Sequence, residues 1–230
     1  MSTLAVAGAL RDLEPAMRGA GFDVAIHFGP TARLLAAIAE GARADVAILT
    51  DAGIAAETAS GVLAPGTRAD LAVSVIGMAV RAGAPRPDIA TPEACRAALL
   101  AAPSLAYSRA GASGIFFAGL IERLGIAAEV NAKATVIPQG FTAELAARGE
   151  VALAIQQVSE LMAVPGVEIV GPLPHALNTR AVFSAALFAG ATREAARLLG
   201  WLRGALTPDR LRAFGLDPPD ESGSGAVPPH

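Results

Sequence analysis

The sequence is poor in residues that form disulfides and bind metals. Cys95 is the single cysteine among 230 residues, which excludes an internal disulfide and any zinc or iron–sulfur site built from several cysteines. It lies in a helical pattern at residues 92–102, where we expect a packed core thiol. The three histidines show no HxxxH or paired His/carboxylate spacing, so we expect no metal site. The sequence also has no GxSxG motif, P-loop or dinucleotide fingerprint, and we expect no cofactor.

An excess of positive charge is also missing. The chain has 18 basic and 21 acidic side chains and a net charge of -3. Because nothing in this balance would hold a phosphate backbone, nucleic-acid binding is not expected. Lysine is nearly absent, with Lys133 as its one representative, and the other basic residues are arginines. An arginine near a cleft can hold a carboxylate through two parallel hydrogen bonds.

Long apolar runs are absent, although hydrophobic residues make up 53% of the chain. The best run, residues 71–80, stops at Arg81 and is too short to span a bilayer. Residues 1–10 lack the positive start and the long apolar stretch of a signal peptide. The sequence as written therefore predicts a cytoplasmic protein, or a periplasmic one if a signal peptide has been removed.

Short apolar strands alternate with longer helical patterns, which predicts an α/β fold with mostly parallel strand pairing. The predicted strands are residues 4–7, 24–28, 45–49, 71–80, 105–108, 135–137, 153–156, 168–170 and 181–187. The predicted helices are residues 11–20, 31–40, 54–60, 91–102, 113–124, 142–148, 192–206 and 208–214.

These elements fall into two series, one before Leu71 and one after Gly83. The closing helices have no strand after them, so the chain is expected to return to its first half. We predict two lobes, residues 1–78 plus 182–216 and residues 79–181, followed by a disordered Pro/Gly/Ser-rich tail at residues 217–230. Ligands of α/β folds bind at the carboxyl ends of strands, so the expected site is a cleft between the lobes.

Five segments carry a resemblance to a known family. They are residues 6–10 (VAGAL), 27–34 (HFGPTARL), 41–48 (GARADVAI), 108–116 (SRAGASGIF) and 124–126 (LGI). In this order the chain resembles the molybdate-binding branch of the type II periplasmic binding proteins, as far as about Leu216. The resemblance implies two lobes hinged by crossing strands, with a small anion in the cleft. It also implies a monomer and, if the protein is exported, an ABC transporter as partner.

Several of the family's anion-binding positions hold different residues here. The serine of the first loop corresponds to Ala9, and the serines of the second correspond to Pro30, Thr31 and Ala32. The family's tyrosine position falls near Gln157. One hydroxyl remains, and proline removes one N–H donor. These differences favour an organic anion over molybdate.

Arginines and helix starts offer another way to bind an anion. Arg109 precedes the glycine-rich segment 110–114, where small residues allow close approach and free N–H groups favour an anion. Several arginines together with amides suit a di- or tricarboxylate. Surface solvation of arginine and helix capping by serine remain the simpler alternatives. The candidate ligand-binding residues are Ala9, Arg11, Thr31, Arg33, Arg109, Ser113, Gly114, Phe141, Thr142, Gln157 and Arg180.

The sequence leaves two functions open. The first is a cleft-type binding protein for an organic di- or tricarboxylate. The alternative is an enzyme like aconitate isomerase, which is similar in fold and shifts an allylic proton on a tricarboxylate. That chemistry needs arginines to hold the carboxylates and a base to move one proton. The candidate bases are His27, Tyr107 and Glu160, and no spacing distinguishes them.

Overall fold

A computed structural model describes residues 1–220, which contain nine strands and ten helices. The strands are β1 (Ser2–Thr3), β2 (Phe28–Gly29), β3 (Val46–Thr50), β4 (Ala69–Arg81), β5 (Leu105–Ser108), β6 (Ala134–Ile137), β7 (Leu153–Gln157), β8 (Val167–Pro172) and β9 (Arg180–Leu187). The helices are α1 (Ala7–Gly19), α2 (Thr31–Ala39), α3 (Asp51–Ala59), α4 (Pro92–Ala101), α5 (Ala112–Arg123), α6 (Ala127–Asn131), α7 (Thr142–Ala147), α8 (Val158–Met162), α9 (Arg193–Ala205) and α10 (Pro208–Ala213). Short 3₁₀ turns lie at Leu4–Val6 and His175–Leu177.

The first lobe is built on β1, β2, β3 and β9. β1 pairs in parallel with β2 and β3, and β3 pairs antiparallel with β9. Helix α1 forms because its apolar residues Leu10, Leu13 and Met17 recur at helical spacing, and all three are buried against this sheet. Helix α9 buries Leu199 and Leu202 in the same cluster. The core of this lobe therefore lies between the sheet and the helices.

The second lobe is built on β4 to β8. β5 pairs in parallel with β6 and β7, whereas β4 pairs antiparallel with β7 and β8. Its core includes Phe117, Leu120 and the fully buried Cys95. Burial raises the pKa of the Cys95 thiol to about 11, as fits a packed core residue.

The two lobes are joined through β4, a 13-residue strand. Its first half pairs with β9 as far as Val75 opposite Arg180. Its second half pairs with β7 and β8 from Ile76 opposite Gln157. We propose lobe boundaries close to the predicted ones, residues 1–78 plus 182–216 and residues 79–181, because β4 changes partners at this point.

The predicted two-lobed α/β fold is confirmed, with three corrections. Strand pairing is mixed, because the crossing strand β4 is antiparallel to each of its partners. Residues 4–7, predicted as a strand, form a 3₁₀ turn and the start of α1, and the strand precedes them. Of the predicted strand at residues 24–28, the structure pairs only Phe28, together with Gly29. Helices α6 and α8, each of five residues, are too short for their periodicity to show in the sequence.

The predicted disordered tail begins too early. Asp217 exchanges both backbone hydrogen bonds with Val73, each of 2.8 Å. Asp220 accepts a hydrogen bond from Arg180 at 3.1 Å. Residues 221–230 of the predicted tail lie outside the described residues. Among residues 1–220, no helix combines the length and apolarity needed to cross a membrane.

Asn178 fixes the point where β4 changes partners. Its amide nitrogen donates to the carbonyls of Ile76 at 2.8 Å and Leu173 at 3.0 Å. Its amide oxygen accepts from the backbone N–H groups of Ile76 at 3.0 Å and Thr179 at 2.9 Å. One side chain thus bonds to backbone groups of three residues at the crossing.

We expect Asn178→Ala to lower the free energy of unfolding by about 2 kcal/mol, because it leaves part-buried backbone groups without partners. Asn131→Ala is the matched control, since the exposed Asn131 accepts one hydrogen bond, from the Tyr107 hydroxyl at 2.7 Å. Its cost should stay below about 1 kcal/mol. Urea unfolding followed by circular dichroism measures both, and equal losses would contradict the role given to Asn178.

Candidate functional site

The carboxyl ends of β5, β6 and β7 lie side by side because these three strands are parallel. Each leads directly into a loop or helix that faces the same edge of the sheet. Arg109 and α5 follow β5, residues 138–141 and α7 follow β6, and α8 follows β7. This edge is the one at which open α/β sheets bind their ligands.

The start of α5 approaches β5 very closely. The hydroxyl of Ser108 accepts a hydrogen bond from the Gly111 N–H at 3.1 Å. A Cβ on Gly114 would lie 1.4 Å from the Ser108 carbonyl oxygen, so no other residue fits there without moving the helix. The Ser113 side chain is 2% exposed, and its Oγ has no hydrogen-bond partner among residues 1–220. Gly111, not Ser113, is the N-cap, so capping does not explain this serine.

Helix α7 begins with Thr142, whose backbone N–H and hydroxyl both form hydrogen bonds to β7. The Gln156 Oε1 accepts from the Thr142 N–H at 2.8 Å and from its Oγ1 at 3.0 Å. The Gln156 Nε2 donates to the carbonyl of Gly140 at 3.1 Å. Thr142 therefore anchors the loop instead of offering a free donor, and the half-buried Phe141 is the N-cap residue beside it.

Gln157 and Glu160 lie at the turn from β7 into α8. Gln157 is the N-cap and makes no capping bond with its own side chain. The carboxylate of Glu160, three residues later, faces the Gln157 backbone N–H, which is one half of a capping box. Both side chains are buried, at 2% and 6% exposure. The Gln157 Oε1 and the Glu160 Oε2 have no hydrogen-bond partner among the described residues.

Burial raises the pKa of Glu160 to about 7, although hydrogen bonds from the Gln157 backbone and the Gln156 side chain partly offset this effect. Helix α8 also contacts the Leu4–Val6 turn and α1 of the first lobe. Ser159 and Ser74 of β4 lie with their hydroxyls 3.4 Å apart. Glu160 therefore lies where the two lobes meet, and it has the proton affinity of a group that can give or take a proton at neutral pH.

The first lobe contributes a pair of threonines. The Oγ1 atoms of Thr3 and Thr31 are 3.3 Å apart, and both side chains are buried. Thr31 opens α2, as predicted, and Pro30 is its N-cap residue. Thr3 was not predicted, because the first strand was placed at residues 4–7. The apolar Leu4–Val6 turn has the pattern of a strand, so the polar strand Ser2–Thr3 before it was not recognised.

The predicted arginines occupy different settings. Arg33 donates to the Oε1 of Gln139 in the opposite lobe. Arg11 stacks on Phe28, with its guanidinium carbon 4.8 Å from the ring centroid. Arg109 is exposed and makes no ion pair among residues 1–220.

Three other candidates, Ala9, Arg180 and His27, do not follow the parallel strand ends of the second lobe, and Tyr107 lies in β5 itself. Ala9 is fully buried in the core of the first lobe, and Arg180 pairs with Asp220. His27 is exposed, and its carbonyl accepts from the Ser2 N–H at 2.8 Å. Tyr107 packs in the core of the second lobe, and its hydroxyl is engaged by Asn131. Of the three proposed bases, Glu160 follows the carboxyl end of β7 beside Gln157, and Ser113 follows the carboxyl end of the adjacent parallel strand β5.

Two concavities lie elsewhere on the molecule. One of about 340 Å³ lies in the first lobe between Leu10 of α1 and Leu202 of α9. Another of about 460 Å³ lies in the second lobe beside Arg86 and Val151. Neither is lined by a candidate residue, so concavity alone does not identify the site. Among residues 1–220, no group of three or more His, Cys, Asp or Glu side chains is placed to hold a metal ion.

Comparison with known proteins establishes the family. Residues 2–217 match the family described as bacterial extracellular solute-binding protein. The chain belongs to this solute-binding family. It is 35% identical over 227 residues to an aconitate isomerase of Pseudomonas sp., covering 95% of this chain and 86% of that one.

Solved structures agree on the fold of this solute-binding protein. The periplasmic molybdate-binding protein of Azotobacter vinelandii superposes with a TM-score of 0.77 at 18% identity, over 95% of this chain and 98% of that one. The sulfate-binding protein of Mycobacterium tuberculosis gives a TM-score of 0.69 at 17% identity, over 96% of this chain and 86% of that one. The resemblance to type II periplasmic binding proteins is thereby confirmed.

We expect Gly114→Ala to disrupt the solute-binding protein, because the new Cβ would overlap the Ser108 carbonyl. The free energy of unfolding should fall by more than about 2 kcal/mol. Gly119→Ala is the matched control in the same helix, since its Cβ would meet only the Arg123 guanidinium at 3.4 Å. Alanine should stabilise that position by roughly 0.5–1 kcal/mol. Thermal unfolding compares the two, and similar midpoints would contradict the close approach.

The pKa of Glu160 predicts a pH dependence of stability. Between the ordinary pKa of 4.5 and the folded value of about 7, the folded state binds the proton more tightly than the unfolded state. The stabilisation from protonated Glu160 is therefore complete below pH 4.5 and is lost as the pH rises through 7. Relative to wild type, Glu160→Gln should gain up to about 3 kcal/mol across this range.

Urea unfolding at pH 4.5, 6 and 8 tests this expectation. The exposed Glu129→Gln serves as control and should show a difference from wild type that does not vary in this way. A Glu160→Gln difference that stays constant with pH would show that Glu160 titrates at its ordinary value.

Proposed function

We propose that the cleft binds a tricarboxylate such as aconitate and isomerises it by an allylic proton shift. The observation that carries the proposal is the buried Glu160 carboxyl, whose Oε2 has no partner among residues 1–220 and whose pKa is raised to about 7. The 35% identity to an aconitate isomerase supports the same chemistry. Compact oxyanions such as sulfate need no proton-transfer group, so a cleft that only bound them would gain nothing from this carboxyl.

The binding half of the proposal rests on donors at the strand ends. The N–H groups at the start of the 12-residue helix α5 favour a carboxylate, and the free Ser113 hydroxyl adds a donor beside them. Arg109 lies in the loop between β5 and α5 and can bind a second carboxylate. Thr31 and Thr3 offer hydroxyls from the first lobe. These groups hold the substrate in fixed orientation while its proton moves.

The chemical half requires one group that both accepts and returns a proton. Ionised Glu160 takes a proton from the CH₂ group between a carboxylate and the double bond. The electron pair left behind delocalises over the allyl unit, and the neighbouring carboxylates and their cationic partners stabilise the added charge. Glu160 then returns the proton to the far carbon, so the double bond shifts and no oxidant or reductant is consumed. A group with a pKa near the working pH suits both steps.

Glu160 is favoured over the other two candidate bases by its surroundings. The Tyr107 hydroxyl already donates to Asn131 in the core. His27 is exposed at the edge of the first lobe. Tyr107 lies within β5, but its ring packs on Phe117 in the core of the second lobe.

The second candidate function is a binding protein that returns its ligand unchanged. The family description and the capping-box contact of Glu160 favour it, because capping alone gives this carboxylate a structural role. In that case the ligand is an organic anion, the location is periplasmic for an exported form, and an ABC transporter is the partner.

Proton NMR of trans-aconitate with the purified protein separates the two functions. We expect signals of cis-aconitate to appear with wild type, and Glu160→Gln to slow conversion by about 10²-fold or more while it still raises the melting temperature with ligand. Glu129→Gln should convert at the wild-type rate. A thermal shift without conversion would support the binding protein instead. Absence of any shift would exclude aconitate as the ligand.

A further inference from the structure

The loop between β6 and α7 reaches from the second lobe to the first. Nη1 of Arg33, in the first turn of α2, donates to Oε1 of Gln139, which is 106 positions away along the chain. Both side chains are exposed. The bond therefore spans the opening between the lobes, on the same side as the strand ends of the candidate site.

The backbone around Gln139 is fixed from two sides. The Arg109 N–H donates to the carbonyl of Ile137 at 3.0 Å, which ties the end of β6 to the end of β5. The buried Gln156 side chain holds the Gly140 carbonyl at 3.1 Å. Gln139 lies between these two anchors, so its amide is presented at a defined place and loses little freedom when it bonds to Arg33.

The hydrogen bond to Gln139 leaves the charge of the Arg33 guanidinium available to a ligand. Surface arginines elsewhere, such as Arg86 and Arg148, are neutralised by carboxylates. Arg33 instead bonds to a neutral amide and has no ion pair among the described residues. An amide oxygen orients a guanidinium without cancelling its charge, and the remaining N–H groups still form a fork for a carboxylate.

We propose that Gln139 is a positioning residue that holds Arg33 across the cleft opening, where Arg33 binds the ligand carboxylate farthest from Glu160. This inference rests on the proposed function and adds a basis for selecting three carboxylates over two. A dicarboxylate held at α5 and Arg109 leaves Arg33 without a partner. A tricarboxylate engages it and joins the lobes through the ligand.

The test compares trans-aconitate with the dicarboxylate trans-glutaconate, which keeps the CH₂ group between a carboxylate and the double bond but lacks the third carboxylate, on the central carbon. Calorimetry gives Kd, and turnover gives KM and kcat, for wild type, Arg33→Ala, Gln139→Ala and the double variant. For trans-aconitate, Arg33→Ala should raise Kd and KM about tenfold, the usual size for a hydrogen bond to a charged group, with kcat within about twofold. Gln139→Ala should raise them about threefold.

The double variant should bind trans-aconitate no more weakly than Arg33→Ala alone, because Gln139 acts through the arginine. For trans-glutaconate all changes should stay below about twofold. Gln139→Glu should weaken trans-aconitate at least as much as Gln139→Ala, since a carboxylate would neutralise Arg33. The control is Arg148→Ala, which removes a surface arginine already paired with Glu150 and should behave as wild type.

Equal losses for both substrates would indicate a general structural effect and overturn the inference. Additive losses in the double variant would show that Gln139 does not act through Arg33, and they would overturn it as well. Either result leaves the proposed function standing if wild type still binds and converts trans-aconitate. If wild type binds no trans-aconitate, the proposed function fails, and this inference fails with it.

Discussion

The architecture depends on one strand that belongs to both lobes. β4 is paired along its length, first with β9 and then with β7 and β8, and the change occurs between Val75 and Ile76. A strand buried in this way needs a nearly unbroken apolar sequence, which is why residues 71–80 form the longest apolar run of the chain. Asn178 bonds to both the N–H and the carbonyl of Ile76 at this change of partners. Because the crossing is covalent and hydrogen-bonded, it fixes the relation between the two lobes at their base.

The site is distinguished by polar atoms that folding leaves unsatisfied. Removing a hydroxyl or amide oxygen from water without a partner costs roughly 1–3 kcal/mol, and a carboxylate costs more. Ser113, Gln157 and Glu160 each carry one such atom, and all three belong to the ends of the neighbouring strands β5 and β7 or the helices that follow them. The surrounding network is otherwise well satisfied, since Gln156 and Thr142 bond to each other and to the backbone. Native proteins retain such costs where a ligand or a reaction offsets them.

The sequence predicted the elements whose apolar pattern extends over many residues and the strands that lie in the interior of the sheet. β5 was placed at the residues it occupies, and β4 to within two residues, because a buried strand and a flanking glycine-rich turn both leave local signals. The glycine-rich start of α5 was recognised for the same reason. β1 was misplaced, because a strand of two residues is too short to leave a pattern, and this error hid Thr3.

The roles of individual side chains were harder to predict, because they depend on partners distant in sequence. In the sequence, Tyr107 and Glu160 were equal candidates. The fold shows that the Tyr107 hydroxyl donates to Asn131, whereas the Glu160 Oε2 has no hydrogen-bond partner among residues 1–220. Gln139 was not a candidate, since its contact with Arg33 joins residues of different lobes.

The same scaffold supports binding and catalysis because the two differ by few groups. Parallel strands place helix starts and short loops at one edge, and those N–H groups hold an anion in either case. Closure between lobes excludes water, which strengthens every charge interaction inside and raises the proton affinity of a buried acid. A carboxyl that caps α8 with one oxygen already lies at that edge, and its second oxygen faces no partner among the described residues. Under the proposed function, a receptor needs only a substrate with an acidic C–H bond near this oxygen to become an isomerase, and we propose that arginines at the opening select a substrate of that kind.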